Sequence, residues 1–150
     1  MWTEGSGVIG VGYEGETIDS FVAKLTAWGV TVLADVRLNP LSRKPGFSKK
    51  RLTETLASVG IDYRHFPELG NARNNRAGYS ERGTADGEAA RSRFVKQLNS
   101  DDAVKSLDEI VRLASQAHVA VMCFEQSELQ CHRQQVLKAV RDRFESLAVA

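Results

Sequence analysis

The chain has only two cysteines and three prolines, and no apolar run near the ~20 residues that a membrane-spanning helix needs. Cys123 and Cys131, eight positions apart, are too few for the disulfide framework of a small secreted scaffold. The opening residues, Met1 to Gly7, lack both the basic start and the apolar stretch of a secretory leader. These absences lead to the expectation of a cytoplasmic protein, without membrane contact, that keeps both cysteines as thiols. Net charge is lacking as well: at +1, with a pI near 7.8, the chain carries no broad basic coat.

What is present is an ordinary globular composition of 150 residues, 42% of them hydrophobic, enough for one core without metal or disulfide staples. The balanced charge hides an asymmetry. From Arg37 to Arg82 there are ten basic residues against four acidic ones, while the remainder carries ten against fifteen. Between Arg37 and Arg51 there is no acid at all. Such a stretch can meet phosphates by charge pairing, or it can be a solvated helix face and loop.

Strand-like and helix-like segments alternate along residues 1–150, which read as a single α/β domain. Val8 to Gly12, Val30 to Val36, Ile61 to His65 and Val119 to Met122 are short β-branched or apolar runs. Between them, Ile18, Phe21, Val22, Leu25 and Trp28 recur at helical spacing, after Thr17 or Asp19 as cap. Leu52, Leu56 and Val59 repeat the pattern behind Ser48. Further helices are expected from Glu88 to Leu98, from Asp101 to Ala117 and from about Cys131 to Leu147. A long loop at about 67–87, rich in Gly, Asn and Arg, interrupts the alternation. This pattern predicts a small, mainly parallel sheet of about four strands with helices on both faces. Right-handed crossovers then put every strand's carboxyl end on one edge, where open α/β sheets bind ligands.

The residues emerging there carry the chemistry. Gly10 to Gly15 satisfies a dinucleotide fingerprint, with Asp35 twenty residues on. However, Gly10 falls inside the strand rather than after it, so the glycines are read as strand packing and a turn. Asp35-Val36-Arg37 closes the second strand, either as a structural ion pair or with Arg37 as an anion clamp oriented by the carboxylate. Cys123-Phe124-Glu125 follows the last strand, and Cys131-His132-Arg133 opens the last helix, where backbone amides and the helix dipole attract anions. A nucleophilic thiol with His132 as base is one alternative. The phosphatase spacing fails, since the sixth residue after Cys123 is Leu129 rather than Arg. Zinc on Cys123, Cys131 and His132, with His65, ranks last because an adjacent Cys-His pair is poor ligand spacing. Two buried cysteines with a carbonyl-bound His132 is the plain structural alternative. In the basic loop, Phe47 is read as packing against Leu52 rather than stacking on a base, which leaves Arg43 and Lys44 as the contact candidates. Arg73, Asn74, Asn75, Arg76 and Tyr79 are candidate lid residues over the edge, with plain surface disorder the equal alternative.

In order along the chain, Gly12-Tyr13-Glu14-Gly15, Asp35-Val36-Arg37 with Pro40 and Ser42, and Pro45-Gly46-Phe47-Ser48 make up the first part of a signature. Gly60-Ile61-Asp62-Tyr63, Pro67-Glu68-Leu69-Gly70-Asn71, Cys123-x-Glu125 and Cys131-His132-Arg133 complete it. This ordered set resembles the domain of unknown function 488 family of bacterial and archaeal proteins, over nearly the whole chain. The family pattern often continues after Leu-Gly-Asn with a proline and a basic residue, where this chain has Ala72-Arg73. The resemblance implies an α/β domain with an edge site; it implies no substrate.

The leading expectation is a domain that binds an anionic, phosphate-bearing ligand, nucleotide or nucleic acid, at the carboxyl edge. Arg37, Arg43 and Arg133 would hold the anion beside Tyr13, while Glu125 and Glu68 orient them or move protons; catalysis is left open. The rivals are a thiol-dependent enzyme using Cys123 or Cys131, rhodanese- or phosphatase-like, and a scaffold or regulatory module. No cofactor is expected.

Overall fold

The computed structural model describes residues 2–72, 75, 83–125 and 131–149. The β-branched and apolar runs form four strands: β1 (Gly7–Gly12), β2 (Val32–Asp35), β3 (Asp62–His65) and β4 (His118–Cys123). They make one sheet in the order β1-β4-β2-β3, with every pair parallel. Five helices accompany them among the described residues: α1 (Ile18–Ala27), α2 (Lys49–Ala57), α3 (Ala85–Gln97), α4 (Asp101–Ala114) and α5 (Arg133–Val149). A 3-10 turn spans Pro67–Leu69. No helix among the described residues is long and apolar enough to cross a membrane.

Local chemistry starts and stops these elements. Thr17 caps α1 in a full capping box with Ser20, and Gly29, at φ 75°, turns the chain back toward β2. Thr84 caps α3 through the amide of Gly87, so that helix begins three residues earlier than the apolar spacing places it. Ser48 sits at the N-cap of α2 but makes no cap bond; its hydroxyl is engaged by Ser42 instead.

The strand period of two sorts side chains onto two cores. Val119, Val121 and Cys123 of β4 and Val32 and Ala34 of β2 join Leu107, Ile110, Val136 and Leu137 on the face covered by α3, α4 and α5. Ala120, Met122 and Leu33 join Phe21, Leu25, Leu52 and Leu56 on the face covered by α1 and α2. At about 1.5–3 kcal/mol for each fully buried large apolar side chain, the two cores dominate the fold's stability. They also enclose the two inner strands, β4 and β2, between them.

Candidate functional site

The helix following β1 lies on one face of the sheet and the helix following β4 on the other. The chain therefore diverges at the carboxyl end of β4, the kind of switch point at which open α/β sheets form their crevice. Register places Cys123 level with Gly12 of β1, and Met122 level with Asp35 of β2. Phe124 accepts a hydrogen bond from the Glu14 amide at 2.8 Å and meets the Tyr13 ring edge-on, tying the two strand ends together.

Cys123 leaves β4 on the α5 face, and the chain returns at Cys131 to start α5. The two sulfurs meet there at bonding distance, with Cα atoms 7.3 Å apart. The two cysteines expected as thiols are thus brought together as a pair: eight residues of chain suffice to bring the strand end and the helix start onto the same spot. Both cysteines are only 2% exposed.

Arg133, 1% exposed, reaches into the same place. One of its terminal nitrogens lies 3.4 Å from Cys123 Sγ and donates to the Glu125 carbonyl at 2.9 Å. Its backbone amide points at Cys131 Sγ at 3.4 Å. His132 Nε2 is 2.9 Å from the Val36 carbonyl, which can only accept, so that nitrogen carries a proton. Nδ1 lies 3.6 Å from Cys131 Sγ. Phe94 of α3 packs edge-on against the imidazole and fixes its plane. One atom of each of Cys123, Glu125 and Cys131 lies within 4.8 Å of the others, the spacing of a shared metal ion.

A second polar centre occupies the opposite face. Asp35 is fully buried and accepts from Arg37 through the backbone amide, Nε and a terminal nitrogen, at 2.8–3.1 Å. The Tyr63 hydroxyl also donates to it. Arg37 spends its remaining donors on the Tyr13 hydroxyl and the Phe47 carbonyl. Burial works against the charge of Arg37, but the hydrogen bonds and charge of Asp35 outweigh it and raise its pKa. Burial and the Asp35 charge both push the Tyr63 pKa above the ordinary tyrosine value. His65 Nε2 contacts the Arg37 carbonyl at 2.7 Å, so two histidines hold the backbone of residues 36 and 37.

The expected edge residues thus divide. Cys123, Glu125, Cys131, His132 and Arg133 come together. Arg37 and Tyr13 belong to the other face, inside the protein. Glu68 is exposed and receives the Ser106 hydroxyl of α4. Arg43 is exposed, whereas Lys44 donates to the Tyr13 and Glu16 carbonyls and closes the β1–α1 loop. Phe47 is fully buried, stacked on Tyr13 at 4.5 Å within the core that includes Leu52. Of the candidate lid residues, Arg73, Asn74, Arg76 and Tyr79 lie outside the described residues. Asn75 is buried and bonded to Asn71, the Ala90 carbonyl and Arg93. Tyr63 and Phe94 were missed by sequence reasoning; each meets its partner from a distant segment, and no local spacing marks it.

No curated protein and no solved structure matches the chain. A family model does, over residues 17–140, which takes in the Asp35–Arg37 centre, the cysteine pair and the first half of α5. With most of its length matched, the chain belongs to the family described as Domain of unknown function DUF488.

Proposed function

We propose that this domain is a thiol–disulfide redox protein whose working group is the Cys123–Cys131 pair. The observation that carries the reading is the convergence of N–H donors on the two sulfurs, a guanidinium on one and a helix-start amide on the other. Donors of this kind favour a thiolate, the form that attacks a disulfide and the better leaving group from one. The reaction is a two-electron exchange. A dithiol reductant attacks one sulfur, the S–S bond breaks, and both protein sulfurs end as thiols while the reductant becomes a disulfide. His132, with Nδ1 toward Cys131, is placed to receive or supply a proton at that sulfur.

The test is a redox titration against glutathione or a dithiol buffer with thiol counting. A reversible couple above about −300 mV is expected, since structural disulfides lie below that potential. A pair that stays oxidised below it, or fails to re-form after reduction, would mark a structural staple and overturn the proposal.

Anion recognition is the second reading, supported by one observation: Arg43, Lys49, Lys50 and Arg51 are all exposed on the acid-free segment. Salt-dependent binding of an oligonucleotide, lost in a quadruple alanine variant, is its expected signature.

A further inference from the structure

Charge balance shows what reduction does to this pocket. With the sulfurs joined, the Glu125 carboxylate and the Arg133 guanidinium, which reaches the Glu125 carbonyl and Cys123 Sγ, cancel. Breaking the bond adds two groups that can each become a negative thiolate, in a place where both cysteines are almost wholly shielded from water. A single divalent cation restores neutrality, and a buried cluster of charges is stable only when so compensated.

The donor set suits such an ion. Cys123 Sγ, Cys131 Sγ and a Glu125 carboxylate oxygen already lie within 4.8 Å of one another. Two thiolates and a carboxylate are ligands of the zinc class, and three protein ligands leave the fourth tetrahedral position to water or an incoming ligand. Two sulfurs on one zinc stand roughly 3.8 Å apart, given Zn–S bonds of about 2.3 Å. The cysteine Cα atoms are 7.3 Å apart, wider than the roughly 4.4–6.8 Å common for bonded pairs. The wide Cα separation leaves room for the sulfurs to stand apart by rotation of the two side chains. The amide and guanidinium N–H groups would remain as outer partners of the thiolates. The grouped donors are the two sulfurs and the carboxylate; His65 Nε2 and His132 Nε2 face backbone carbonyls instead.

We propose that the reduced pair, together with Glu125, binds one divalent transition-metal ion of the zinc class, and that disulfide formation expels it. The proposal rests on the redox reading only for the release of the sulfurs. The step balances: a dithiol reductant supplies two electrons and two protons and leaves as its own disulfide. The metal then displaces the two thiol protons, and reoxidation by a disulfide returns the metal to solution.

The experiment titrates Co2+ into the reduced, oxygen-free protein and reads thiolate-to-cobalt charge-transfer absorbance, with Zn2+ added afterwards as competitor. One equivalent per chain, displaced by Zn2+ and absent from the oxidised protein, is expected. Glu125→Gln should weaken binding at least about tenfold, since even outer-shell losses cost that much; Cys131→Ser should abolish the band. Circular dichroism accompanies both variants as the check on folding, and Glu125→Gln carries the test alone where Cys131→Ser does not fold. A folded, reduced protein with two countable thiols and no charge-transfer band overturns the metal site while leaving the redox couple intact. A Glu125→Gln variant that binds as tightly as the parent overturns the assigned ligand set. A band without a reversible disulfide would instead remove the redox reading and keep the metal site.

Discussion

His132 Nε2 donates to the carbonyl oxygen of Val36 at 2.9 Å, joining the residue before α5 to the residue after β2 across 96 residues of chain. The bond closes the crevice at the central strand and aims Nδ1 at Cys131. His132→Ala removes it, leaves a buried-side carbonyl without its donor and opens a void against Phe94. A loss of about 2–4 kcal/mol is expected, combining the lost bond with the cavity. Urea denaturation of the two proteins under non-reducing conditions measures it.

Much of this arrangement was legible in the sequence. Residues 119–122 and 30–36 announced buried strands through their β-branched runs, and the spacing of Phe21, Val22 and Leu25 announced α1. Parallel order then put Cys123 and Arg37 at one edge. What the sequence did not reveal was the side of the pleat. Asp35 follows Leu33 onto the α1/α2 face, and Cys123 follows Val121 onto the α5 face. Two arginines expected to share an anion therefore sit back to back. That outcome depends on which helices cover which face, a long-range fact that no local pattern contains. The hydroxyl of Ser48 makes the same point on a smaller scale: its choice of Ser42 over the helix amides follows from how the loop folds back.

Asp35→Asn should be among the most damaging substitutions in the chain. It keeps the shape of the side chain but leaves Arg37 as a buried cation with no counter-charge, at a cost of about 3–5 kcal/mol. Pairing it with Arg37→Met should recover part of the loss, because the uncompensated charge is then gone. Denaturant midpoints of the single and double variants decide the matter; equal losses in the two would show that the charge is not the cause.

Tyr63 supplies a pH signature. Its pKa is raised in the folded protein by burial and by Asp35, so the folded state favours the protonated hydroxyl. The stabilisation is fully present below the unfolded value of about 10 and declines as pH rises beyond it. The parent should therefore lose stability between pH 9 and pH 11, as read from urea midpoints at about those values. Tyr63→Phe should be less stable than the parent at neutral pH, and its alkaline decline should be shallower.

Gly70 tests close packing without any question of backbone strain, since its φ of −81° is open to any residue. A Cβ there would meet the backbone N and Cα of Leu38 at 2.5 Å, and backbone cannot swing aside as a side chain does. Gly70→Ala should cost about 1–3 kcal/mol through this overlap. Gly5, where a Cβ meets nothing within 4 Å, is the control, and its alanine variant should leave the melting temperature nearly unchanged.

Arg133 gives the sharpest link between structure and redox behaviour. Its guanidinium nitrogen, 3.4 Å from Cys123 Sγ, interacts more strongly with a thiolate than with a sulfur held in a disulfide. It therefore favours the reduced state and makes the pair a stronger oxidant. Arg133→Met keeps most of the side-chain volume and removes the donor. A hydrogen bond to a charged group contributes about 1.5–3 kcal/mol, which for a two-electron couple is roughly 30–65 mV. The variant's potential should therefore fall by about that amount in the same glutathione titration. Arg133→Lys, which keeps the charge but not the planar fork, should fall between the two. An unchanged potential in a folded Arg133→Met protein would show that the guanidinium serves only the Glu125 carbonyl, and that the sulfurs are tuned by the helix-start amide alone.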